Sequence, residues 1–147
     1  MLVLEDEAAT EAFGARLGAM LQVGDVITLS GNLGAGKTSL ARGVLHSLGF
    51  SGDVPSPSFP LIIPYAPPDV RIGVWHVDLY RIEHAEEIEE LALEEALADG
   101  ALLIEWPERL GAKGWKNALA LRLEIAPNDT RTLTASFPPA WEHRWPV

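Results

Sequence analysis

The chain predicts an α/β fold built on a P-loop NTPase sheet, with mixed parallel and antiparallel strands and helices on both faces. Three observations carry that prediction. Residues 31–38 read Gly-Asn-Leu-Gly-Ala-Gly-Lys-Thr, the G-x-x-x-x-G-K-[ST] spacing of a phosphate-binding loop. The loop sits between an apolar, β-branched run over residues 26–30 and a segment that places Leu40, Ala41, Val44, Leu45 and Leu48 on one helical face. Downstream, two short apolar runs each lead into an acid, residues 73–77 before Asp78 and residues 101–104 before Glu105.

The remaining elements follow in order. Residues 7–21 predict a helix with Asp6 as N-cap and Ala8, Ala9, Ala12, Phe13, Leu17, Met20 and Leu21 as its buried face. A Gly24-Asp25 turn leads into the strand over 26–30, and Gly49 closes the helix after the P-loop. Residues 51–60 form a loop rich in proline and serine. Residues 61–65 and 73–79 make a strand pair around Ala66-Pro67-Pro68-Asp69. A helix follows in the acidic stretch over 83–99, then a wholly apolar strand over 101–104. Residues 118–125 and 130–137 form a hairpin around Pro127-Asn128-Asp129. With no internal repeat and no linker, residues 1–147 are expected to form a single domain.

Composition narrows the function. No cysteine is present, which excludes disulfides and thiolate metal sites. No apolar run approaches the ~18 residues of a membrane span, the start of the chain is acidic, and with no cysteine a cytoplasmic location is expected. The net charge of −10 repels a phosphate backbone, which disfavours direct contact with RNA or DNA. Between Glu83 and Asp99 the acids are dense, and two readings fit them: a solvated helix face, or a docking surface for a basic partner. Trp141 and Trp145, four apart, either pack back onto the domain or anchor an interface.

Phosphate chemistry accounts for the motif residues. Gly31, Gly34 and Gly36 permit the positive-φ turns that aim successive N–H groups at one anion, and the following helix N-terminus adds partial positive charge. Lys37 supplies a cation for the β- and γ-phosphates, and Thr38 a hydroxyl for Mg²⁺. Glu105 is the favoured metal acid, with Asp78 in the same sphere or orienting the attacking water. Ser56 and Ser58 lie where P-loop switches place a sensor of the terminal phosphate, although a rigid surface loop fits the spacing equally. His76 shares a strand face with Asp78, either as a core histidine or as a catalytic one. Neither an Asn/Thr-Lys-x-Asp guanine reader nor an Asp-x-x-Gly turn occurs, so ATP with Mg²⁺ is expected rather than GTP. A low-turnover ATPase serving a partner, a small-molecule kinase with a sparse lid (Arg109, Lys113, Lys116) and a non-hydrolysing adaptor are the three classes that fit.

Gly-Asn-Leu-Gly-Ala-Gly-Lys-Thr at 31–38, Ser-Pro-Ser-Phe at 56–59, His-Val-Asp-Leu-Tyr-Arg at 76–81, Glu-Leu-Ala-Leu-Glu-Glu at 90–95 and Ile-Glu-Trp-Pro-Glu at 104–108 together resemble the TsaE (YjeE) family. The resemblance implies an ATPase that supports N6-threonylcarbamoyladenosine formation on tRNA by binding a TsaB–TsaD pair, with tRNA involved only indirectly. It assigns Gly34, Ala35, Gly36, Lys37, Thr38 and Ser39 to the phosphates, Thr38 and Glu105 to Mg²⁺, and Asp78 to the catalytic surroundings. It further suggests that Thr10, Trp106 and Arg131 lie near the nucleotide. The chain departs from the pattern at Ser58, where threonine is usual, and at Ala92, where glycine is common.

Overall fold

The computed structural model describes residues 2–32, 34–57, 61–84, 87, 92–109 and 117–145. Its centre is β2 (Val26–Ser30), whose Val26, Ile27, Thr28 and Leu29 are buried, as expected of a strand covered on both faces. On one side β2 pairs in parallel with β5 (Gly100–Glu105), which pairs in parallel with β4 (Gly73–Asp78). The short β3 (Ile62–Tyr65) closes that edge antiparallel to β4. On the other side β2 runs parallel to β6 (Leu119–Ile125), which forms an antiparallel hairpin with β7 (Arg131–Ser136). The sheet order is therefore β1-β7-β6-β2-β5-β4-β3, with β1 (Leu2–Leu4) at the far edge. β1 pairs with β7 through Leu2↔Leu133 and Leu4↔Arg131. Three residues are too few for a strand pattern, and the sequence reading has no strand there.

Among the described residues, two helices cover one face of the sheet. α1 (Glu7–Ala19) starts where the Asp6 Oδ1 accepts from the Ala9 N–H at 2.8 Å, confirming the predicted cap. Phe13, Leu17 and Leu21 are buried as expected, but Ala8, Ala12 and Met20 are exposed, and the helix buries Thr10, Gly14 and Gly18 in addition. The cause is backbone contact with α2 (Lys37–Ser47). A Cβ on Gly14 would strike the Leu40 carbonyl, one on Gly18 the Ser47 hydroxyl, and one on Gly43 the Glu11 carbonyl. Glycine marks these contacts, which apolar periodicity does not register. α2 ends as predicted at Gly49, with φ of 113°. The Gly49 N–H donates to the His46 carbonyl and the Phe50 N–H to the Leu45 carbonyl, a Schellman closure.

The core on this face joins Phe13 and Leu17 of α1 and Leu40, Val44 and Leu45 of α2 to Ile27, Leu29, Leu103 and Leu121 of the sheet. On the opposite face Val26, Val77, Leu102 and Ile104 pack with Leu93 of the short α3 (Leu93–Ala96). A single helix through the acidic stretch is overturned, because Ala92 caps α3 in the left-handed region at φ 52° and no α-helix passes through that conformation. Residues 85, 86 and 88–91 of that stretch lie outside the described residues. Both C-terminal tryptophans pack back. Trp141 is buried with the Arg144 guanidinium 4.1 Å over its ring, and Trp145 meets Phe13 and Phe137 at 5.6 and 5.5 Å. Arg144 also grips Asp25 with two hydrogen bonds, of 2.6 and 3.0 Å, at the entrance to β2. No described helix is long and apolar enough to cross a membrane.

Overpacking at a helix contact costs about 1–3 kcal/mol, and truncating a buried tryptophan about 3–5 kcal/mol. Urea denaturation should therefore show losses of that order for Gly14→Ala and Trp141→Ala. Met20→Ala should stay within about 0.5 kcal/mol of the parent. A neutral Gly14→Ala would overturn the close helix contact.

Candidate nucleotide site

β2 ends at Ser30, and the chain turns through Gly31 at φ 140°, Gly34 at 83° and Gly36 at 105° before α2 begins at Lys37. All three glycines thus occupy the positive-φ conformations their positions predict. At Gly31 space is also decisive, since a Cβ there would strike the Leu123 carbonyl of β6. Gly36 is the N-cap of α2 without a side-chain cap, so the first N–H groups of the helix face the loop.

The carboxylates come from the neighbouring strands. Asp78 and Glu105 are the last residues of β4 and β5 and stand opposite one another in the parallel register. They continue the face that carries Val74 and His76 on β4 and Ala101 and Leu103 on β5, the face covered by α2. Both are 2% exposed. The Asp78 Oδ1 accepts from the Tyr80 N–H at 2.8 Å. The Glu105 Oε2 lies 2.5 Å from the His76 Nε2, and His76 is fully buried.

A cavity of about 280 Å³ joins these groups. Gly34, Gly36, Lys37, Thr38 and Ser39 form one wall, with Asp78, Glu105 and Trp106 at the strand ends. Ser56, Arg131 and Glu7 complete it. Most of the sequence-predicted site residues are thereby brought together. Ala35 is buried within the loop itself. Thr10 is fully buried behind Gly36, its hydroxyl donating to the Asp6 carbonyl at 3.0 Å. Ser58 lies outside the described residues, as do Lys113 and Lys116. Arg109 is directed at the Tyr80 ring, 5.8 Å from its centroid.

Glu7 is the cavity residue that sequence reasoning missed. It occupies the first turn of α1, where an acid is ordinary, and no motif marks it. Its Oε1 accepts from the Ser39 hydroxyl and from Arg42, each at 3.2 Å, and so links α1 to the start of α2.

Lys37 is 5% exposed and closely held. Its ammonium donates to the Gly31 carbonyl at 2.5 Å and stands 3.9 Å over the Trp106 ring. Trp106 itself follows β5 with φ of 60°, its N–H donating to the Leu29 carbonyl. Burial lowers the Lys37 pKa from its ordinary 10.5, and the negative charges of Glu105, Asp78 and Glu108 act against that shift. Convergent N–H donors, a buried cation and two strand-end carboxylates suit a polyphosphate together with a hard cation.

Sheet, loop and helix together define a protein of the P-loop NTPase fold class. The chain superposes on the crystal structure of Bacillus subtilis YdiB with a TM-score of 0.79 and 26% identity, covering 97% of this chain and 88% of that one. A family model described as threonylcarbamoyl adenosine biosynthesis protein TsaE matches residues 4–133, and the chain belongs to that family. Among its relatives, the Streptomyces coelicolor tRNA threonylcarbamoyladenosine biosynthesis protein TsaE is 40% identical over 120 residues, 80% of either chain. The Mycobacterium tuberculosis protein of the same name is 39% identical over 137 residues, 87% of this chain and 81% of its own.

The sign of the Lys37 shift sets its pH behaviour. Between the lowered folded pKa and 10.5, the native state binds fewer protons at this lysine than the unfolded chain does. This group's contribution to stability therefore rises with pH across that window. Nitrogen-detected NMR of the lysine side chains should find Lys37 titrating below the exposed lysines. Glu105→Gln should move that titration lower still, because it removes a charge that opposes the shift. An unchanged titration in that variant would overturn the electrostatic influence of Glu105 on Lys37.

Proposed function

We propose that this protein is a Mg²⁺-dependent ATPase of low intrinsic turnover. In this reading it binds the TsaB–TsaD pair and hydrolyses ATP to sustain threonylcarbamoyladenosine formation on a tRNA it contacts only indirectly. One observation carries the ATPase reading: a three-glycine loop at the N-terminus of α2 faces two buried carboxylates aligned on adjacent parallel strands. The tRNA context is supported by family membership.

In this reading the N–H groups of Gly34 to Ser39 bind the phosphates, and the Lys37 ammonium exchanges its loop carbonyls for phosphate oxygens. The Thr38 hydroxyl and the Glu105 carboxylate would hold Mg²⁺, which supplies neutralisation of charge on the β- and γ-phosphates. That donor set fits an ion bound through one or two carboxylates, phosphates and water. Asp78 accepts a hydrogen bond from the attacking water. The water oxygen forms the new bond to the γ-phosphorus as the bond to the ADP oxygen breaks, giving ADP and phosphate. Arg131, reaching the cavity from β7, adds positive charge beside Gly36. The net charge of −10 supports an output delivered to protein rather than directly to RNA.

Lys37→Ala should abolish ATP binding measured by calorimetry. Glu105→Ala should retain part of the nucleotide affinity and lower kcat about 100-fold or more, the scale of losing one aligned electrostatic group. Wild-type hydrolysis by Glu105→Ala would overturn its assignment to the metal. Mixing the protein with purified TsaB–TsaD should yield a complex and a raised ATPase rate, and failure of both would overturn the partner.

A further inference from the structure

His76 is the one polar residue of the β4 core face, between Val74 and Asp78, that the proposed hydrolysis leaves without a task. We infer that His76 is a positioning residue for Glu105: its Nε2–H holds the Glu105 Oε2 and thereby directs the other carboxylate oxygen at the metal position. The inference rests on the reading of Glu105 as the metal acid. The geometry is specific. The 2.5 Å contact joins two side chains that are 0% and 3% exposed, on neighbouring strands, directly beneath the cavity that Glu105 lines. A carboxylate at the end of a strand can rotate about its side-chain bonds, and a donor fixed in the sheet removes that freedom.

The second ring nitrogen supports the same role. The His76 Nδ1 is buried and has no hydrogen-bond partner among the described residues. A proton on Nδ1 would leave a buried donor unmade, whereas a proton on Nε2 meets the Glu105 oxygen, so the burial pattern selects the tautomer that donates to Glu105. A histidine kept only for packing gains nothing from this arrangement, because an apolar side chain of similar volume would fill the space without an orphaned nitrogen. The contact therefore serves Glu105.

The test uses Mn²⁺ binding to the chain of residues 1–147 saturated with ADP, followed by electron paramagnetic resonance, beside metal-free ADP affinity measured in EDTA. Outer partners of metal ligands typically contribute 10–100-fold in metal affinity. His76→Leu should weaken Mn²⁺ binding by about that factor and leave metal-free ADP affinity unchanged. His76→Gln, whose amide reaches as far as Nε2, should restore most of the loss. Should the leucine variant fail to fold, His76→Asn keeps a polar side chain too short to reach Glu105 and should show the same weakening. Unchanged Mn²⁺ affinity in a folded leucine or asparagine variant overturns the inference, as does an equal loss of metal-free ADP binding. Glu105→Gln separates the two levels: if it leaves Mn²⁺ affinity intact, the metal reading of Glu105 has failed. If it weakens Mn²⁺ while His76→Leu does not, only the role of His76 has failed.

Discussion

The architecture depends on keeping three charges out of water at one end of the sheet. Lys37, Asp78 and Glu105 are each almost completely buried, and an isolated buried charge costs several kcal/mol. Their mutual proximity, the loop carbonyls on the ammonium and the donors on the carboxylates make the burial tolerable. The lowered pKa of Lys37 shows that compensation is partial, with desolvation outweighing the nearby negative charges. In the proposed reading, a polyphosphate with its cation would enter an environment already arranged for charge, with little further desolvation of the protein.

Parallel pairing is what assembles that environment. Strands that run the same way deliver their C-terminal ends to one edge, so the exit of β2 into the glycine loop meets the exits of β4 and β5. The register then matters at single-residue resolution. Asp78 lies opposite Glu105, and a slip of one residue would turn one carboxylate to the opposite face of the sheet, where Val77 and Ile104 pack. The helix contact adds a second constraint. With Gly14, Gly18 and Gly43 letting the backbones touch, α1 sits close enough for Glu7 to reach Ser39 and Arg42.

Much of this was legible in the sequence, because the features involved are local or periodic. The P-loop, the strand over 26–30, the helix after it, the two strand-end acids and the C-terminal hairpin all carry their signals within a dozen residues. What escaped depends on partners distant in the chain. β1 is held by pairing with residues 131–133, and the part of the α1 face that escaped is set by Gly14 and Gly18, whose value lies in their close contact with α2. Glu7 escaped for the same reason, since an acid in a first helical turn looks the same whether or not a site lies beyond it. His76 was visible as a polar residue in an apolar strand, but its bond to Glu105 depends on β4 lying beside β5 in one particular register.

The strand order also has a temporal consequence. β2 is made early, yet both of its neighbours, β5 and β6, are encoded far downstream, and Arg131 enters the cavity from β7, the last of the described strands in chain order. During synthesis from the N-terminus the glycine loop therefore precedes the strands and acids that complete its pocket. Arg131 joins the cavity only once β7 has been made, whereas the α1–α2 contact and the pairing of β2 with β5 and of β5 with β4 need no residue beyond Glu105.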